Sequence, residues 1–445
     1  MFRIGPSIVL LVLVASTGEA RTWTVGGPTA DFPLIAPAIA AAADGDVLEV
    51  RPGVYREDLV VDKRVAIIGI GRPTLYGTGV GTVVTMTAAG SELRGFVIEG
   101  SGTGQTNEMD AGVLVQSNGN HVVDNILRRV FYGVVVVNAS GNEIAGNEIT
   151  GYHELPFGQR GDGIFLYRAP ETLVARNRIS GERDAIYFQY ASRGRAVGNV
   201  TSNSRYGLHD MFSDDTVIER NEFAGSAVGA NIMNSRRIRL EHNRILRNRG
   251  VPGVGLTLKD CDDSTVRGNV IAGNARGLLI DGSSSNRFIA NTLEMNDTAV
   301  TLFSSAERNE FGGNHFRGNW GDVVLSGRDS GTRWTADGRG NFWSRYRGFD
   351  FDGDGIGESA HPVVGAFERI EGANPAARIF LQSPAAAGLE LASRLSAEPA
   401  CDAADQMPLV ERAGRRVSTG ALGVVAVAMF ASVSAAKKRR TPCSR

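Results

Sequence analysis

The sequence is poor in the residues that make several functions simple to assign. Only 3 of its 445 residues are Cys, at 261, 401 and 443. Thiols so few and so scattered cannot build a disulfide scaffold or a cysteine zinc site. An excess of basic charge is missing as well, since 47 Lys and Arg stand against 48 Asp and Glu. Nucleic-acid binding draws most of its affinity from phosphate neutralisation, so no nucleic-acid partner is expected. Asn is absent before residue 107 and after residue 374. What the chain has in plenty is Gly, 56 residues, well above the usual share of about 7%. With ordinary charged and apolar fractions of 21% and 42%, that composition favours a turn-rich globular protein over disorder.

The two ends read as sorting signals. Arg3, the apolar run 8–15 and the small residues Gly18 and Ala20 match the three parts of a cleaved secretory signal over residues 1–20. Residues 419–436 form an uncharged, mostly apolar stretch followed at once by Lys437, Lys438, Arg439 and Arg440. That is the shortest length that can span a bilayer, and a basic flank suits the cytoplasmic side. A C-terminal membrane tether is therefore expected there, with 437–445 as a basic tail and 396–418 as a linker.

All 25 Asn lie in the central block, and Asn marks turns because it tolerates left-handed backbone. Nine of them, at 125, 147, 177, 199, 221, 243, 269, 291 and 314, recur at intervals of mostly 22 residues. A second column runs in step at Gly112, Gly133, Gly163, Ala185, Gly207, Gly229, Gly255, Gly277 and Ala299. Each opens a short run of strand formers. This predicts an all-β fold, a right-handed parallel β-helix with coils of about 22 residues. Leucine-rich repeats share the length but need Leu at fixed places, which these columns do not keep. Two longer intervals extrude loops near 152–160 and 248–252. The Ala-rich stretch 31–43 predicts a helix within an N-terminal cap over 21–44. The solenoid is expected over 45–326, followed by an irregular extension over 327–395.

Strand alternation sorts side chains from each corner residue. One set, including Leu208, Asp210, Ala230 and Ile232, is expected to face in. The other, including His209, Met211, Asn231 and Met233, is expected to face out, with Met211 and Met233 as lateral neighbours on adjacent coils. Phe165, Tyr167 and Tyr187 continue that face. Thioether sulfur is soft and suits Cu(I), while imidazole suits either copper state. A Met-lined patch that docks a partner, with no metal, is the competing reading. Asp210 at an inward position needs a buried partner.

Two acidic patterns add further candidates. Asp162 and Asp184 precede corner residues, with Asp110 near Gly112, and carboxylates so arranged suit glycoside hydrolysis or lyase chemistry. The competing reading, which such residues before Gly fit more often, is a turn Asp bonding its own backbone. Downstream, Asp350, Asp352 and Asp354 with Gly355 resemble the start of an EF-hand calcium loop. The twelfth position is His361, so Glu358 is the candidate for the missing carboxylate.

Taken together, these stretches resemble the NosD family of periplasmic maturation proteins of nitrous oxide reductase, over roughly 30–395. The matching residues are Glu108 to Gly112, Arg160 to Ile164, Tyr206 to Ser213 with Ile232 to Ser235 one coil later, Gly340 to Ser344, Asp350 to Glu358, Pro375 to Arg378 and Gln382 to Pro384. The resemblance implies a non-enzymatic protein that acts with an ABC transporter ATPase and permease and a copper chaperone to supply copper to nitrous oxide reductase. It supports His209, Met211 and Met233 as copper ligands. Met109, Asp110, Phe165, Tyr167 and Tyr187 are the candidates for a partner or surface patch. The alternatives are a secreted polysaccharide lyase or hydrolase on the same fold and a carbohydrate-binding surface protein.

Overall fold

The computed structural model describes residues 20–103, 109–152, 154–327, 331–395 and 403–410. The expected signal, apart from Ala20, and the apolar segment 419–436 with its basic tail lie outside those residues, as does most of the linker. No helix among the described residues is long and apolar enough to cross a membrane. The chain divides into two compact units at Arg178 and Ile179.

In the first unit, strands of two to six residues stack in parallel on their neighbours one coil away. Ala111–Val115 pairs with Val84–Met86 on one side and Tyr132–Val137 on the other, and Tyr132–Val137 pairs in turn with Ile164–Tyr167. The cap differs from expectation. A strand over Thr22–Val25 pairs with Val47–Val50, and the helix is confined to Ile35–Ala41. Its start is held from a distance, because the Glu57 carboxylate accepts from the Ile35 and Ala36 N–H groups at 2.9 and 3.0 Å. Free N–H groups in the first turn need such acceptors. The loop near 152–160 contains one 3-10 turn, Phe157–Gln159.

The second unit repeats the pattern. The sheet with its longest strands stacks Ile186–Gln189, Tyr206–Met211, Val228–Met233, Val254–Lys259, Arg276–Asp281, Thr298–Phe303 and Gly321–Ser326, each parallel to the next. The solenoid does not stop at 326, since Phe342–Trp343 adds to His315–Arg317 in another sheet. The helix Ala366–Ala373 then packs on Gly321–Ser326. A clasp follows, in which Ala404–Asp405 pairs antiparallel with His361–Pro362.

All eighteen side chains at the first and third positions after the corner residues are at most 2% exposed, from Val113 to Leu302. The corner glycines are required by close approach. A Cβ on Gly207 would lie 2.5 Å from the Gly229 carbonyl oxygen, and one on Gly229 2.6 Å from that of Gly255. The Asn column behaves otherwise than expected. Left-handed backbone falls on the residue before each Asn, as at Arg220 and His242, while the Asn side chains form a buried ladder. The Asn221 side-chain oxygen accepts from Asn199 N–H at 2.8 Å and from Asn199 Nδ2 at 2.9 Å. Its own Nδ2 donates to the Ala196 carbonyl at 2.8 Å and to Asn243 Oδ1 at 3.0 Å. An amide is suited to this because it carries two donors and an acceptor.

Candidate metal centre

The outer face of the sheet that carries Tyr206–Met211 and Val228–Met233 brings the His and Met residues onto neighbouring strands, as the register predicts. Met211 is the cross-strand partner of Met233, and His209 that of Asn231 on one side and Tyr187 on the other. Neighbouring strands lie roughly 4.8 Å apart, so the two thioethers share one rung, two residues along from the imidazole. Leu208, Asp210, Ala230 and Ile232 point the other way and are fully buried.

The outward set is less exposed than alternation alone suggests. His209 is 8% exposed, and Asn231 and Phe165 are also buried. At His209 the cause is aromatic cover. Tyr187 stacks on the imidazole with ring centres 4.3 Å apart and planes 6° from parallel, and Tyr206 meets it edge-on at 5.0 Å. Contacts of this kind contribute about 0.5–1.5 kcal/mol each beyond area burial, and they hold the ring in one plane.

A carboxylate fixes the rest of its orientation. His209 Nδ1 lies 3.0 Å from Asp184 Oδ2. Asp184 is itself gripped by the Arg205 guanidinium, Nε to Oδ1 at 2.9 Å and Nη2 to Oδ2 at 2.8 Å. Burial works against the charge of Asp184, but hydrogen bonds from His209 and Arg205 outweigh it and hold the carboxyl below its usual range. An ionised carboxylate can only accept, so Nδ1 carries the hydrogen. The other ring nitrogen, Nε2, is buried and has no hydrogen-bond partner among the described residues. Orphaned buried polar atoms are costly and uncommon, and this one is on a ring two residues along the strand from the Met211–Met233 rung.

Each sulfur also has a donor beside it. Tyr187 Oη lies 3.7 Å from Met211 Sδ, and Asn231 Nδ2 lies 3.2 Å from Met233 Sδ. The sequence pointed to His209, Met211 and Met233 but not to Asp184 in this role, nor to Asn231 and Tyr187 as neighbours of sulfur. The signal for Asp184 was its place just before the corner residue Ala185. There its backbone bridges to Tyr206 on the next coil, which aims the side chain at Arg205 and His209.

The other candidates fall elsewhere. Asp162 is fully buried, Asp110 is 6% exposed, and Met109 is half-buried with its carbonyl accepting from Thr82 Oγ1 at 2.8 Å. In the first unit Phe165 and Tyr167 sit with ring centres 6.2 Å apart. In the Asp-rich loop, carboxylate oxygens of Asp350, Asp352 and Asp354 all lie within 4.8 Å of one another, and Glu358 is not part of that group. All three accept backbone N–H groups, among them Gly353 and Gly355 onto Asp350 at 2.7 and 2.9 Å.

Residues 151–348 match a family described as periplasmic copper-binding protein (NosD). The "Probable ABC transporter binding protein NosD" of Pseudomonas aeruginosa is 29% identical over 400 residues, 86% of this chain and 89% of that protein. A protein of the same description from Stutzerimonas stutzeri is 26% identical over 350 residues, 75% of this chain and 79% of its own length. Among solved structures, the catalytic unit of a thermostable alpha-1,3-glucanase from Streptomyces thermodiastaticus aligns with a TM-score of 0.50 at 17% identity, over 69% of this chain and 65% of that one. At that identity the likeness speaks for the β-helix fold alone. The central coils match the NosD family, and the chain is similar along most of its length to two proteins described as NosD, so the comparisons support a likeness to the NosD family.

Proposed function

We propose that this protein is an exported accessory protein that carries copper as cargo, in the cuprous state, on His209 Nε2 and the sulfurs of Met211 and Met233. The observation that carries the reading is the buried Nε2 of His209, without a hydrogen-bond partner among the described residues, two residues along the strand from the rung that pairs Met211 with Met233. Thioether sulfur favours Cu(I) over harder cations, and an imidazole pinned through its other nitrogen makes a defined third donor. The descriptions of the family and its relatives support a periplasmic setting, copper binding and association with an ABC transporter. The finer role follows from that reading: copper received from a chaperone, with the transporter's ATPase and permease as partners, is passed toward nitrous oxide reductase. Residues 1–20 export the chain and 419–436 tether it. The Asp350, Asp352 and Asp354 oxygens are hard donors suited to calcium, which we assign to that loop in a structural role.

In this reading the protein is not an enzyme. Asp184 is engaged by Arg205 and His209, and we assign it no part in sugar cleavage. The test is a competition titration of Cu(I) against a colorimetric chelator. The wild-type chain is expected to take up close to one equivalent. The combined variant His209→Ala, Met211→Ala, Met233→Ala is expected to lose at least about tenfold in affinity, the lower bound for disrupting a metal's ligand shell. Equal affinity of the two proteins rejects the site.

A further inference from the structure

We infer that Asp184 is a positioning residue that decides which nitrogen of His209 is presented to the metal. The inference deepens the copper reading and rests on it for its purpose, but the hold of Asp184 on the imidazole stands on geometry alone. Three features of the structure bear on it.

The first is direction. Asp184 Oδ2 is 3.0 Å from Nδ1, on the ring edge away from Nε2. A carboxylate there accepts the Nδ1 hydrogen and leaves the Nε2 lone pair outside the ring free to bind a cation.

The second is rigidity of the carboxylate itself. Asp184 is fully buried, and both its oxygens are engaged by the fork of Arg205. The guanidinium is in turn spread over the Tyr206 ring, 4.5 Å from its centre. Paired N–H donors in a fixed plane leave a carboxylate little rotational freedom. Arg205 therefore sets Asp184, and Asp184 sets His209.

The third is confinement of the ring. With Tyr187 stacked on one face and Tyr206 at its edge, the imidazole is held in one plane. A half-turn of the ring about Cβ–Cγ would put Cδ2–H where Nδ1–H now meets Asp184 Oδ2, so that the contact would lose its imidazole donor. Carboxylate–histidine pairs that orient a ligand nitrogen are a general device of metal sites, and their loss typically lowers metal affinity by about 10–100-fold.

An amide at this position discriminates a positioning role from simple packing, because it has nearly the same shape. In Asp184→Asn one carboxylate oxygen is replaced by an amide nitrogen, a donor. Where that nitrogen faces His209 it donates to Nδ1 and drives the hydrogen to Nε2, which closes the ligand position. Where it faces Arg205 it loses one bond of the fork. The imidazole is then free to populate both tautomers.

The experiment reads the tautomer directly in the metal-free full chain, by nitrogen-15 NMR of histidine-labelled protein. The chain has six His, and the His209→Gln variant assigns the signal. Wild type is expected to show the Nδ1–H form of His209, Asp184→Asn a mixture, and Asp184→Glu a return toward the Nδ1–H form. In parallel, Cu(I) competition is expected to show a loss of about 10–100-fold for Asp184→Asn. A wild-type His209 in the Nε2–H form, or an Asp184→Asn variant that keeps both tautomer and affinity, overturns the inference. If the tautomer responds as stated while neither protein binds Cu(I), the copper reading fails and the positioning role of Asp184 stands. Should Asp184→Asn fail to fold, Asp184→Glu together with Arg205→Lys carries the same comparison.

Discussion

Asp210 lies between His209 and Met211 in sequence but on the opposite side of the sheet, fully buried in the solenoid interior. Its partner is Ser235, whose hydroxyl is 2.8 Å from Asp210 Oδ1 and 3.0 Å from the Met233 carbonyl. One hydroxyl hydrogen cannot serve both acceptors, whereas a protonated Asp210 can donate to the serine oxygen and remove the conflict. Burial pushes the Asp210 carboxyl from 3.8 up to about 7, opposed by hydrogen bonds from Ser235 and Thr216 and reinforced by Asp214. A carboxyl whose folded value is raised makes the folded state the better proton acceptor. Its contribution to stability is therefore greatest at low pH, falls as pH rises from about 4 to about 7, and is flat above that. Over the whole window the change is roughly 4 kcal/mol at about 1.4 kcal/mol per unit. Thermal denaturation should show Asp210→Asn more stable than wild type at pH 8, with the difference shrinking by pH 5. A difference independent of pH contradicts the assignment. The same burial pushes the Cys261 thiol up to about 12, so this cysteine serves as packing and not as a reactive group. Sequence alternation placed Asp210 inside correctly, but nothing local to it identified Ser235, which is one coil and 25 residues away.

At the scale of single elements, the clasp is what the sequence hid. Asp405 ends the Asn ladder, its Oδ2 accepting from the Asn341 N–H at 2.7 Å and from Trp343 Nε1 at 2.9 Å, while its Oδ1 accepts from Met407 N–H at 3.0 Å. A terminal coil of a solenoid exposes donors that the next coil would have satisfied, and a capping group has to replace it. An Asp does so with acceptors on both oxygens. The repeat could not announce it, because the clasp belongs to no repeat and meets Asn341 across 64 residues. Replacement Asp405→Ala leaves the Asn341 N–H and the Trp343 indole without that acceptor, at about 1–3 kcal/mol for each orphaned donor. Hydrogen exchange should therefore accelerate at Asn341, at the Trp343 indole and through 355–363, with coils near Asn221 unaffected. Uniform acceleration, or none, speaks against a local cap. The Asn column itself was legible by its interval, yet its task was not. The left-handed residues stand before the Asn, and the Asn contribute a side-chain ladder that only three dimensions reveal.

For the molecule as a whole, the 22-residue interval carried the architecture. Parallel coils, the inward set and the shared rung of Met211 and Met233 all follow from one period of 22 combined with one of 2. What the period cannot give is how much cover each outward side chain receives, which is why His209 is buried where alternation suggests exposure. Stability in each unit comes from buried apolar stacks and neutral ladders. Apart from Arg205 with the buried Asp184, coil-to-coil ion pairs such as Arg237 with Asp215 and Arg244 with Glu222 are exposed, their side chains a third to two thirds accessible. Pairs of that kind contribute about 0–1 kcal/mol each and are screened by salt. The urea midpoint should accordingly move little between low and molar sodium chloride. A large fall with salt would mean that these pairs, and not the buried ladders, hold the coils together.

Three backbone hydrogen bonds fasten the stretch around Leu409: Leu409 N–H to the Asn341 carbonyl at 2.8 Å, Gly357 N–H to the Pro408 carbonyl at 2.7 Å, and Val410 N–H to the Gly355 carbonyl at 3.0 Å. A pull on the polypeptide beyond Val410 is thus borne first by the last asparagine of the stack and by the loop that carries Asp350, Asp352 and Asp354. An ion held by those carboxylates, as proposed above, would stiffen the loop that takes this load.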